Sequence, residues 1–144
     1  MMNLILPVYC FAILVFGNAT SPLKLRFEGI EREGGTIRLA LYKSKADFMQ
    51  EKKATLYSFP VGKKGVLEGK MENLPAGTYA FAVFLDENNN LALDKNLMGV
   101  PTEPYGFSKT PPSKWRLPTW EEVKFDLSGQ EESITVPLKR WALF

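Results

Sequence analysis

About seven short runs of this 144-residue chain alternate apolar and polar side chains with a period of two, and that alternation limits the fold more than any other feature. A strand points successive side chains to opposite faces, so each run reads as a half-buried strand. Leu23, Leu25 and Phe27 alternate with Lys24, Arg26 and Glu28, and Ile37, Leu39 and Leu41 with Arg38, Ala40 and Tyr42. Shorter, less regular runs follow at 56–61 and 66–71. Tyr79, Phe81, Val83 and Leu85 share one face, and Ala80, Ala82 and Phe84 the other. This run is apolar on both sides, which suits the middle of a sheet. Runs at 123–127 and 134–138 complete the set, and Pro137, lacking an N–H, suits an edge strand or a bulge. Gly34-Gly35, Gly62, Pro75-Ala76-Gly77 and Gly129 supply turns. Only 45–52 suggests a helical turn or two. The reading is all-β: a two-sheet sandwich of about seven strands, immunoglobulin- or transthyretin-like. One long loop is expected, because 101–118 holds five prolines and can be neither helix nor central strand.

The first 19 residues carry no charged side chain, and their apolar run from Leu4 to Phe16 is 13 residues long. A spanning helix needs about 20 residues. A secretory h-region is shorter and is followed by small residues, here Gly17-Asn18-Ala19. We therefore expect a signal peptide at 1–19 and a single domain at 20–144; the alternative is a buried element of the domain itself. The expected location is exported: periplasmic, associated with the cell surface or secreted, with no transmembrane span in the mature part. The only cysteine, Cys10, lies in the leader, so the mature domain is disulfide-free and held by its core. There is no histidine, which removes imidazole bases, His-ligated zinc and the Ser-His-Asp triad. A net charge of +2 gives no electrostatic basis for binding nucleic acid.

Directly after the central strand comes Asp86-Glu87-Asn88-Asn89-Asn90-Leu91-Ala92-Leu93-Asp94. Oxygen-bearing side chains at Asp86, Asn88, Asn90 and Asp94 match positions 1, 3, 5 and 9 of a calcium loop, with the Ala92 carbonyl at position 7. Glu87 or Glu103 would complete the shell. Leu91 replaces the usual glycine and Leu97 the usual bidentate glutamate, so this is no EF-hand. Calcium held here would bind weakly, at about 10⁻⁴–10⁻³ M. The other reading is a bare turn, since Asn and Asp hydrogen-bond their own backbone and tolerate left-handed conformations. Downstream, Glu103, Tyr105, Phe107, Trp115 and Trp120 either close the open end of the core or form a binding surface.

Three segments resemble a bacterial family of exported proteins, the domain of unknown function 2141. They are Gly35-Thr36-Ile37-Arg38-Leu39-Ala40-Leu41-Tyr42, Leu74-Pro75-Ala76-Gly77-Thr78-Tyr79-Ala80, and the stretch from Asp86 through Asp94 into Gly99-Val100-Pro101-Thr102-Glu103-Pro104-Tyr105-Gly106-Phe107-Ser108. The resemblance implies export and a β-sandwich. It also implies glycine where this chain has Asn89 and Leu91. It supplies no catalytic residues.

Three functions are compatible with these residues. The first is an exported, non-catalytic module that binds a protein or polysaccharide at the cell envelope, with or without calcium in the 86–94 loop. The second is an assembly subunit using an edge strand or the Trp141-Ala142-Leu143-Phe144 tail. The third is a small hydrolase built on carboxylates such as Asp86 and Glu103.

Overall fold

The computed structural model describes residues 19–143. Most of the expected signal peptide, including Cys10, and the terminal Phe144 lie outside the described residues. The chain forms a two-sheet sandwich. One sheet places β1 (Thr20–Ile30) between β4 (Gly65–Pro75), antiparallel to it, and β8 (Glu132–Pro137), parallel to it. The other sheet runs β3 (Thr55–Pro60), β2 (Thr36–Tyr42), β5 (Gly77–Asp86), β6 (Tyr105–Phe107). A further short strand, β7 (Phe125–Leu127), pairs with the start of β5.

The alternation dictates the layering. Leu23, Leu25 and Phe27 of β1 face Ile37, Leu39 and Leu41 of β2 and Phe81, Val83 and Leu85 of β5 in one core, every one of them at most 3% exposed. The core is extended at one side by Phe27 against Phe59, ring centroids 5.3 Å apart. The expected central strand is β5, which pairs with β2 on one edge and with β6 and β7 on the other. Pro137 ends β8, which among the described residues pairs with β1 alone and so forms an edge of its sheet. The two sheets are stitched at Tyr105 and Lys139, which exchange both backbone hydrogen bonds at 3.0 Å. Gly106 makes this approach feasible, because a Cβ there would lie 2.9 Å from the Pro137 carbonyl oxygen.

Three elements differ from expectation. The proline-rich stretch contributes an eighth strand, β6, three residues long and at the edge of its path, where prolines at 101, 104 and 111 do not interrupt it. The helical turn expected over 45–52 is split into hydrogen-bonded turns over 45–49 and a 3-10 turn at Glu51–Lys53, because Met49 takes a left-handed backbone, φ 62°. The one α-turn among the described residues is α1 (Trp120–Val123). It covers the lower half of the outer face of the larger sheet. There Trp120 and Val123 pack on Tyr42, Ala80 and Phe107 in a second, smaller core. Among the described residues no helix is long and apolar enough to cross a membrane.

Candidate functional site: an apolar groove walled by the 86–104 loop

The loop leaving β5 is organised by two buried carboxylates. Asp86 is fully buried. Its Oδ2 accepts hydrogen bonds from Arg38 Nε at 2.5 Å and Leu91 N at 2.9 Å, and its Oδ1 accepts from Asn90 N at 3.0 Å. Burial alone would push this carboxyl's pKa up; Arg38 and the two backbone N–H groups outweigh it, and the group lies below the usual carboxylate range. Glu103 is also buried, and its two oxygens accept from Glu87 N at 2.8 Å and Asp94 N at 3.0 Å. Gly35 lets the start of β2 reach this loop: at φ 78°, a Cβ there would lie 2.7 Å from the Asp86 carbonyl oxygen. Thr36 then donates to the Asn89 side chain at 2.7 Å.

The residues expected to ligate calcium are brought together, and they bond to one another. Asn88 and Asn90 each direct an amide N–H at Asp94, both at 2.7 Å. Their carbonyl oxygens accept from Asn90 N and Ala92 N. Both oxygens of Asp86, Asp94 and Glu103 are thus engaged, and the guanidinium of Arg38 already contributes the positive charge that a metal would bring. Glu87, the other residue expected to complete the shell, pairs with Arg140 at 2.6 Å. Among the described residues no three acidic, His or Cys side chains converge as a metal would require. A cation held here would need the amides of Asn88 and Asn90 to rotate and their oxygens to leave the backbone.

The same loop forms a wall of a groove of about 1170 Å³ on the outer face of the larger sheet, above the half that α1 covers. Ala40 and Ala82, directly paired across β2 and β5, form its floor with Phe84 and Tyr105. Leu91, Leu93, Met98 and Val100 line one wall, Trp115 and Leu117 another, and Leu56 and Met49 sit on the β3 side. Its rim is apolar and open to water: Leu56 is 68% exposed, Leu91 71%, Met98 87%, Trp115 77% and Leu117 65%. Two rim residues, Met49 (φ 62°) and Leu91 (φ 71°), hold left-handed backbone that costs a bulky residue of order 1 kcal/mol or more.

Of the aromatic surface anticipated from sequence, Tyr105, Phe107 and Trp115 border the groove. Trp120 and Glu103 are buried, in the small core and in the loop respectively. Sequence reasoning missed Leu56, Leu91, Met98 and Leu117 as members of a site, and raised Trp141 only as part of the C-terminal tail of an assembly subunit. Trp141, from the C-terminal tail, stacks edge-on against Trp115 with centroids 5.2 Å apart.

The Trp115 wall is tethered to α1. Arg116 forks onto Glu122 at 2.6 and 2.8 Å, and Glu122 also accepts from Thr119 N at 2.8 Å. Arg116 first, and Thr119 second, hold the Glu122 carboxyl down at about 2. A carboxyl depressed on folding stabilises above its unfolded value of 4.5, and the contribution is lost as pH falls through about 2. The near-ultraviolet circular dichroism of the Trp115–Trp141 pair should therefore persist from neutral pH to about pH 3 and fade below it. Glu122→Gln should show the faded spectrum at pH 7.

A search of curated proteins and one of solved structures returned no match. A model of one bacterial protein family matches residues 25–135. That span runs from β1 nearly to the end of β8 and includes the whole 86–104 loop. The chain belongs to this family, DUF2141, described as an uncharacterized protein conserved in bacteria.

Proposed function

We propose that this protein is an exported, non-catalytic binding module whose ligand lies in the apolar groove on the outer face of the larger sheet. The observation that carries this reading is the rim: five large apolar side chains more than 60% exposed around one concavity. Scattered exposed leucines need no explanation, but a contiguous apolar patch lining a cleft marks a binding surface. The backbone adds weight. Glycine would relieve the left-handed strain at Leu91 and Met49, and both positions instead present a large apolar side chain to water at the groove. Export rests on the charge-free leader with its small-residue boundary. The non-catalytic reading rests on the buried carboxylates: Asp86 and Glu103 are committed to Arg38 and to backbone N–H groups, and Asp86 is held ionised, unlike a general acid.

The test is binding of N-phenyl-1-naphthylamine, a neutral apolar dye that brightens when removed from water. The purified protein should bind it saturably. Leu91→Gly should stabilise the fold by about 1 kcal/mol, because it relieves the left-handed strain. It should also weaken dye binding about fivefold by removing part of a wall. Stabilisation with unchanged dye affinity would take Leu91 out of the site, and no saturable binding by the wild type would sink the reading.

A second reading keeps calcium in the loop. It is favoured by the convergence of Asn88, Asn90 and Asp94 within hydrogen-bonding distance and by the left-handed backbone at Asn89 and Leu91. A ligand bound only by the native state raises the melting midpoint, so millimolar calcium compared with chelator decides it. We expect no shift, since Arg38 neutralises Asp86 from within.

A further inference from the structure

The groove is bordered by charge of predominantly one sign. Arg38, Lys95, Lys114 and Arg116 line it against one acid, Glu51. Arg38 and Arg116 are held by Asp86 and Glu122. Lys114 lies with its ammonium 4.8 Å from the ring centre of Trp141 and 5.4 Å from that of Trp115. Lys95 projects from the same loop as Leu91 and Met98, is exposed, and makes no ion pair among the described residues.

This charge restricts the occupant. A polysaccharide needs hydrogen-bonding side chains along the length of its groove, whereas apolar aliphatic and aromatic residues make up most of this lining. A wholly apolar ligand gains nothing from an ammonium at the edge of its groove. Resting on the groove reading above, we infer that the ligand is a monomeric single-chain amphiphile with an anionic head, of the long-chain carboxylate class. Its chain lies over Ala40 and Ala82, and its head meets Lys95. The apolar walls supply affinity through area removed from water, and the lysine selects the sign of the head.

The experiment displaces N-phenyl-1-naphthylamine from the purified protein with dodecanoate and with its uncharged glycerol monoester, both below micelle formation. Dodecanoate should displace the dye at a concentration about tenfold lower than the ester, and about 0.5 M salt should narrow that gap. Lys95→Glu should abolish the advantage and leave the ester unaffected. Equal displacement by acid and ester, or an advantage that survives Lys95→Glu, overturns the anionic head while the groove reading stands. A dye that binds but yields to neither compound overturns the acyl class. Failure of the dye itself to bind removes the groove reading beneath both. Sedimentation of the protein with phosphatidylglycerol vesicles, without displacement by dodecanoate, would overturn the monomeric ligand in favour of a membrane surface.

Discussion

Arg38→Met should cost about 3 kcal/mol of folding stability, measured by urea denaturation at pH 7, far more than the loss of a surface ion pair. The reason is the asymmetry of the pair. Asp86 is completely buried, while the Arg38 side chain keeps 23% of its surface in water. Removing the arginine strands a carboxylate in a site where only the N–H groups of Asn90 and Leu91 still answer it. Breaking a buried pair from one side costs about 3–5 kcal/mol, and the partial hydration of Arg38 places this case at the lower end. The variant should also change the pH response of Asp86. In the wild type its folded pKa is depressed, so its contribution is present above the unfolded value of 3.8 and is lost as pH falls further. Without Arg38, only the N–H groups of Asn90 and Leu91 oppose the effect of burial, and the folded pKa rises. The deficit of Arg38→Met should then shrink as pH is lowered from 7 toward 4, because the stranded carboxylate takes a proton. Adding Asp86→Asn should recover part of the loss at pH 7. A deficit that stays constant with pH would mean that Arg38 acts through packing and not through the charge of Asp86.

The sandwich was legible because its strands bury one face, and burial of one face writes a period of two into the chain. The run from Tyr79 to Leu85 stood out because it is apolar on both faces: β5 has the core on one side and the groove floor and α1 on the other. What escaped reading was smaller than a period. β6 is three residues between prolines and α1 is a single turn, so neither completes enough of a repeat to be detected. The 86–94 loop was legible as oxygen-rich, but its partner was not. Arg38 lies 48 residues upstream, and one arginine on the outer face of a strand looks like any solvated charge until β2 and β5 are paired. The groove was the least visible feature. Its walls come from segments near 49, 56, 91–101, 115–117 and 141, each carrying one or two apolar residues that singly resemble ordinary loop hydrophobics. The one local sign was the pair of alanines. Alanine is a weak strand former, yet Ala40 and Ala82 stand side by side on the outer face of the best strands in the chain.

Those alanines give the sharpest test of where the ligand lies. Ala82→Phe should reduce binding of N-phenyl-1-naphthylamine on the order of a hundredfold, because an aromatic ring rising from the floor occupies the volume the ligand needs. Stability should stay within about 1 kcal/mol of the wild type. Phenylalanine is the better strand residue, and Ala82, partly buried at the edge of the small core, borders the groove into which the ring can turn. The control lies two residues earlier on the same face. Ala80 is fully buried beneath Trp120 and Val123, so Ala80→Phe forces α1 off the sheet and should cost about 1–3 kcal/mol. The two substitutions are identical in chemistry, strand and facing direction, and they differ only in what covers them. If the groove holds the ligand, Ala82→Phe keeps its fold and loses the dye. Equal dye affinity in a folded Ala82→Phe protein would move the binding surface away from the outer face of the larger sheet, and the exposed rim of Leu56, Leu91, Met98, Trp115 and Leu117 would then need another occupant to account for it.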